Sequence, residues 1–205
     1  MEYYHNLITQ RSWIELQNLK KMIDFVLIGG WAVYLYTKAL KSKDIDIIVE
    51  FDKLPILGKH YQLNKNSRLN KYEAIKEDVQ IDIYLPHYSN LGIPAEQLAK
   101  QTSYLEGFKV LESNYLMVLK LYTLKQRGRS VKGKKDFVDI LSLMLSKSIN
   151  LEKVSKIVEM YSLQASFNCF REFLAEYYEV PELGLNKHQF SKMKKEIVVF
   201  FRPKT

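Results

Sequence analysis

The spacing of apolar residues changes along this chain, from short runs in its first part to long helical patterns later. Apolar residues at near-helical spacing over residues 7–22 predict an N-terminal amphipathic helix. The apolar run 25–28 then ends at Gly29-Gly30, which predicts a buried strand closing on a tight turn. A further helix is expected over residues 31–40.

Two segments alternate between apolar and other side chains, as strands do. Residues 45–49 and 79–85 show this period most clearly, and weaker strand signals lie at 72–75 and 108–110. From Ser113 onward the pattern is helical, over 114–125, 135–146, 151–161, 165–178 and 187–200.

These elements predict an α+β protein, with a small mixed sheet flanked by helices and then a helical C-terminal half. The change of character between residues 86 and 94 suggests two domains. We expect a core over residues 1–90 and a mainly helical domain over 91–205 that contributes to the active-site cleft.

Composition narrows the class of protein only slightly. The chain has 205 residues, a net charge of +8 and a pI near 9.3, which suits a nucleic-acid partner and a lysine-rich solvated surface equally well. Its single cysteine, Cys169, excludes an intramolecular disulfide. No signal-peptide pattern occurs at the N-terminus, and the apolar stretch 25–36 is too short to span a bilayer. We therefore expect a cytoplasmic protein without a membrane partner.

The pair Asp44 and Asp46 is the first candidate for chemistry. Residues two apart on a strand share a face, so both carboxylates would point to one side. Neighbouring carboxylates repel each other, and Mg²⁺ compensates this well with its preference for hard oxygen ligands. Alternatively, one Asp is exposed and the other pairs with Lys43 or Lys41.

Asp82 is the second candidate, because it is a charged residue within an apolar strand pattern. If its strand lies beside that of Asp46, three carboxylates converge on one face, which is the arrangement needed for two metal ions. An edge position facing water is the alternative for Asp82. Asp78 is a rival third acid, although it stands at the start of the strand.

Gly29-Gly30 could bring a phosphate close to the backbone at a helix N-terminus, whose free N–H groups favour anions. An ordinary strand-to-helix turn would suit the same two residues.

The order of these features resembles the nucleotidyltransferase superfamily, with its polymerase-beta-like fold. The resemblance covers residues 22–85 and rests on Gly29, Gly30, Asp44, Asp46 and Asp82. It implies that the three Asp residues hold two Mg²⁺ ions and that the glycines hold the triphosphate of an NTP such as ATP. Many relatives have Ser or Thr after the first Gly. Because Gly30 has no hydroxyl, the triphosphate contacts must come from the backbone and from Lys43 or Lys120.

The segment from Lys120 to Asp139 looks like that of the AbiEii-like, toxin-type branch. There a Lys on one helix precedes a basic loop and a Lys-Asp-x-x-Asp motif, here Lys135 to Asp139. The resemblance places Lys120 and Asp136 in the active site, with Asp139 as a weaker candidate. Lys120 could bind triphosphate oxygens, and Asp136 could orient that Lys or act as a general base. Alternatively, Lys120 lies on a helix surface and Asp136 favours the first turn of its helix.

A dense basic segment could contact phosphates of RNA or of the nucleotide, or could be a solvated loop. It comprises Arg127, Arg129, Lys132, Lys134 and Lys135.

We therefore expect a Mg²⁺-dependent transferase that moves an NMP from an NTP to an acceptor hydroxyl. The branch resemblance suggests a tRNA 3′ end as acceptor, and a toxin with an antitoxin protein as partner. The alternatives are a small-molecule, antibiotic-modifying enzyme and a non-catalytic RNA-binding or regulatory protein that keeps the fold.

Overall fold

The structure is a computed structural model that describes residues 2–200, without the side chains of residues 2–6 and 198–200. The helices of this part are α1 Glu2–Met22, α2 Gly29–Thr37, α3 Leu54–His60, α4 Ala95–Leu98, α5 Ser113–Arg127, α6 Val131–Leu145, α7 Leu151–Met160, α8 Gln164–Glu176 and α9 Lys187–Phe200. The strands are β1 Val26–Ile28, β2 Ile45–Ile48, β3 Gln62–Asn66, β4 Lys71–Lys76, β5 Val79–Tyr84, β6 Thr102–Leu105 and β7 Phe108–Leu111.

The strands form one mixed sheet in the order β3-β4-β5-β2-β1-β7-β6. The central pair β1 and β2 is antiparallel, whereas β2 runs parallel to β5 and β1 runs parallel to β7. Both outer hairpins, β3-β4 and β6-β7, are antiparallel. This mixed sheet with flanking helices confirms the predicted α+β fold class.

One continuous apolar core joins the sheet to its helices. Leu27 of β1, Trp31 of α2 and Phe137 of α6 are almost completely buried in it. The indole N–H of Trp31 donates a 2.8 Å hydrogen bond to Ser12, which satisfies the polar atom of this large buried side chain. None of the helices within residues 2–200 is both long and apolar enough to cross a membrane.

Most predicted elements are present in the structure. The sequence pattern did not predict the short or polar elements that the structure also contains. β3 carries mainly exposed polar residues, so its sequence lacks the apolar alternation by which β5 was recognised. The α6 helix begins four residues before its predicted start. The reason is that Ser130 caps it by accepting a hydrogen bond from the Gly133 N–H at 3.1 Å.

Strands β6 and β7 follow residue 90 in the chain but belong to the same sheet as β1. The sheet therefore draws on both sides of the division expected from composition. That two-domain division stays a prediction.

Candidate active site

A close approach between Gly29 and Asp46 lies at the centre of the site. Gly29 directly follows the β1 strand and begins α2 with a φ of +68°, a conformation that favours glycine. A Cβ atom at this position would lie 2.0 Å from Oδ2 of Asp46. No other residue type fits here without displacing the carboxylate, so the Gly-Gly turn and Asp46 form one unit.

The register of the sheet brings the second carboxylate to the first. Asp46 of β2 is aligned with Asp82 on β5, and on its other side with Ile28, the residue before Gly29. Asp44 lies in a bend just before β2, although the sequence pattern placed it on the strand. The register thus places Asp46 beside Asp82, while the convergence of all three carboxylates stays a prediction.

Asp46 carries the least neutralised charge of this group. Within the described part of the chain, no side chain makes a hydrogen bond or an ion pair with its carboxylate. Burial, together with the negative charges of Asp82 and Asp44, raises the pKa of Asp46 to about 6, against a smaller opposite effect of Lys120. A cation placed here would be strongly favoured.

Asp82, in contrast, already has partners for both oxygens. The buried ammonium of Lys71 lies 2.6 Å from its Oδ2, and the Gln80 amide donates to its Oδ1 at 3.0 Å. Lys71 also contacts Glu73 at 3.0 Å. Neither Lys71 nor Gln80 was singled out from the sequence.

Lys120 lies in a buried cluster of opposite charges. Its ammonium donates to Asp136 at 2.9 Å and forms an ion pair with Asp139 at 2.7 Å that lacks hydrogen-bond geometry. Arg127 binds the second oxygen of Asp136 at 2.7 Å. Burial opposes the charged ammonium, yet the two carboxylates hold the pKa of Lys120 well above its ordinary value.

Lys120 of α5 and Asp136 of α6 contact each other across the interface between the two helices. Spacing of i and i+3 on α6 puts Asp136 and Asp139 on one face, where both meet a single lysine of α5. The cluster therefore joins the two helices beside the Gly-Gly turn. Of the alternatives for Asp136, orientation of Lys120 is the one its contacts support.

The predicted basic segment is dispersed over the end of α5 and the start of α6. Arg129 pairs with Glu176, Lys134 pairs with Glu182 at 2.9 Å, and Lys132 reaches Asp44 at 3.4 Å. The ammonium of Lys135 points inward, 3.3 Å from the hydroxyl of Ser42. Lys43 is exposed near Asp44. The roles of these residues stay predictions.

A sequence signal could have revealed one further residue near the carboxylates, Tyr84. It shares a face of β5 with Gln80 and Asp82, because all three alternate with buried Val and Ile residues. Burial and the charges of Asp46 and Asp82 raise the pKa of the Tyr84 hydroxyl far above its ordinary value. Ser42 and Lys71 gave no comparable signal, since contacts distant in sequence bring them here.

The chemistry of the carboxylates fits Mg²⁺. Among the described residues, no group of three His, Cys, Asp or Glu side chains forms a ready metal cluster. A Mg²⁺ ion needs only one or two carboxylates when substrate phosphates supply other ligands. Asp46, without a cation of its own, and Asp44 would be the residues to hold it.

The fold, the Gly-Gly turn and the aligned carboxylates define the nucleotidyltransferase class. The chain belongs to the family described as nucleotidyltransferase of unknown function (DUF6036), whose model matches residues 6–182. It is therefore an enzyme that transfers nucleotide groups. This confirms the superfamily expected from the sequence, while the AbiEii-like branch is not confirmed. No curated protein matches the sequence.

Solved structures share the fold at low sequence identity. The solution structure of the antibiotic-resistance factor ANT(2″)-Ia has a TM-score of 0.52 and 13% identity, covering 86% of this chain and 100% of that one. Its crystal structure in complex with adenylyl-2″-tobramycin has a TM-score of 0.55 and 12% identity, covering 78% and 99%. JHP933 from Helicobacter pylori has a TM-score of 0.48 and 15% identity, covering 94% and 95%.

We predict that Gly29→Ala destabilises the protein by about 2 kcal/mol or more, through the left-handed backbone and the contact with Asp46. Gly184→Ala is the matched control. Gly184 has a φ of +66° but open space around its Cβ position, so this variant should show the backbone effect alone. Urea denaturation measures both, and equal losses would contradict the close-approach argument.

Lys120→Met should cost about 3–5 kcal/mol of unfolding free energy, because it leaves the buried Asp139 without a cation. Lys132→Met, at an exposed position, should change it little. Adding Asp139→Asn to Lys120→Met should restore part of the loss, since the unpaired charge is then removed. A double variant as unstable as the single one would argue against this pairing.

Asp46→Asn should stabilise the metal-free protein at pH 8. The folded-state pKa of Asp46 lies above its unfolded value, so its ionisation costs stability once the pH exceeds about 6. The gain should reach at most about 3 kcal/mol, the difference between a folded pKa of about 6 and an ordinary Asp pKa of about 4, and should disappear as the pH falls toward about 4.

Denaturation in EDTA from pH 4 to pH 8 tests this, with the exposed Asp24→Asn as control. A stability difference that does not vary with pH would refute the assignment.

Proposed function

We propose that this nucleotidyltransferase moves a nucleoside monophosphate from an NTP to an acceptor hydroxyl and releases pyrophosphate. The observation that carries the proposal is the position of Asp46. It touches the Gly29 turn, is aligned with Asp82 and has no described cation partner. A carboxylate group in this state suits a metal-bound triphosphate.

In the proposed reaction the acceptor oxygen attacks the α-phosphorus of the NTP. The bond between that phosphorus and the bridging oxygen breaks, and pyrophosphate leaves. Asp82 takes the proton of the acceptor hydroxyl, held in place by Lys71 and Gln80. Mg²⁺, with two ions expected, would be held by Asp44, Asp46 and Asp82 and would offset the negative charge of the phosphates.

Backbone N–H groups at the start of α2 are proposed to bind the triphosphate. No side chain caps this helix N-terminus, and its free N–H groups favour an anion. The exposed Lys43 can add a positive charge from the loop before β2.

For the acceptor we propose RNA, with a tRNA 3′ end as the first candidate. The net charge of +8 and the exposed Lys132 near Asp44 favour a polyanion. Aminoglycosides are polycations, so these charges disfavour the kind of acceptor named in the ANT(2″)-Ia complex. Action as a toxin controlled by an antitoxin protein in the cytoplasm belongs to the same proposal.

Incubation with each α-³²P-labelled NTP, Mg²⁺ and total tRNA tests the reaction, with tobramycin and casein as alternative acceptors. We expect labelled tRNA from wild type and Asp24→Asn, a loss of at least about 100-fold in Asp46→Asn, and none in EDTA.

Label on tobramycin or casein alone would refute the RNA acceptor. No label on any acceptor, with nucleotide bound equally by wild type and Asp46→Asn, would refute the proposed transfer.

A further inference from the structure

Two buried lysines and one half-buried lysine near the site differ in their carboxylate partners. Lys71 and Lys120 each contact two carboxylates within 3.0 Å. Lys135 has no carboxylate within ion-pair distance among the residues whose side chains are described, 7–197. Its contact is with the Ser42 hydroxyl at 3.3 Å. An ammonium group has three donors, and only one described protein side chain, that of Ser42, accepts from Lys135.

The ammonium of Lys135 lies beside the Gly-Gly turn. Lys135 extends from α6 to the first turn of α2, and its Nζ lies 3.2 Å from the place where a Cβ on Gly30 would be. Because Gly30 has no side chain, the ammonium of Lys135 can lie beside the uncapped N–H groups of that turn. Backbone donors and an ammonium face the same small volume.

We infer that Lys135 binds a phosphate oxygen of the triphosphate at the start of α2, the contact expected from the sequence for Lys120. This inference rests on the proposed function. Lys120 would have to leave Asp136 or Asp139 to make the same contact, whereas Lys135 would lose only one long hydrogen bond. The inference thus gives Lys135 a different role from the other basic residues of its segment, which were expected to contact RNA.

The electrostatic environment agrees with this role. Burial lowers the pKa of Lys135, against a smaller raising effect of Asp139 and Asp46. An anion bound beside the ammonium would relieve that desolvation, because it supplies the opposite charge that the protein does not place there.

The test measures binding of Mg²⁺-tripolyphosphate, which has no base or sugar, by isothermal titration calorimetry. Lys135→Met should weaken binding about 10- to 100-fold, the usual range for one charge-assisted contact. The matched control Lys156→Met removes an exposed lysine of α7 that has no expected role at the site. It should bind within about twofold of wild type.

Thermal unfolding of the same variants separates binding from folding. Lys135→Met should unfold at or above the wild-type temperature, because it removes a half-buried charge that has no described carboxylate within ion-pair distance. Weaker binding with undiminished stability supports the inference.

Two results would overturn it. One is wild-type affinity in Lys135→Met, and the other is a loss of stability comparable to that of Lys120→Met. If wild type itself does not bind tripolyphosphate, the proposed phosphate site fails, which is a different outcome.

Discussion

Carboxylates removed from water need positive charge close by, and the arrangement of this site follows from how that need is met. Lys120 serves Asp136 and Asp139, and Lys71 serves Asp82 and Glu73. These two lysines fix α5 to α6 and β4 to β5. Asp46 is the exception, since no described cation forms an ion pair with it, and the attraction of Lys120 and Arg127 does not offset burial and the repulsion of Asp82 and Asp44. In our proposal a metal-bound substrate would supply the positive charge that Asp46 lacks.

Elements could be predicted from the sequence where burial of one face produces a regular spacing of apolar residues. β5 was recognisable because Val79, Ile81 and Ile83 are all buried on one face. The same pattern made Asp82 conspicuous, and the register of β5 with β2 then places it beside Asp46. Strand β3 has mainly exposed residues, and no period marks it. Its existence depends on pairing with β4, which is a tertiary contact.

Within the site, sequence could identify carboxylates but not the cations assigned to them. The Gly-Gly turn and Asp46 suggested a common site because the order of these residues in the sequence resembles that of the nucleotidyltransferase superfamily. Lys71 reaches Asp82 through the β4-β5 pairing, and Ser42 reaches Lys135 across 93 residues of chain. Nothing in the local pattern of either residue indicates those contacts, because they depend on how distant elements pack.

The lysines of α5 and α6 show why a motif alone does not assign a role. The sequence interpretation expected Lys120 to bind the triphosphate and placed Lys135 in the basic segment, although both precede the same Asp-x-x-Asp pair. In the folded protein, Lys120 balances those two acids and is held by α5, while Lys135 reaches past them to α2. A cation already matched by two carboxylates contributes little net charge to an incoming anion. The lysine that can attract a triphosphate is the one whose charge the protein leaves unbalanced.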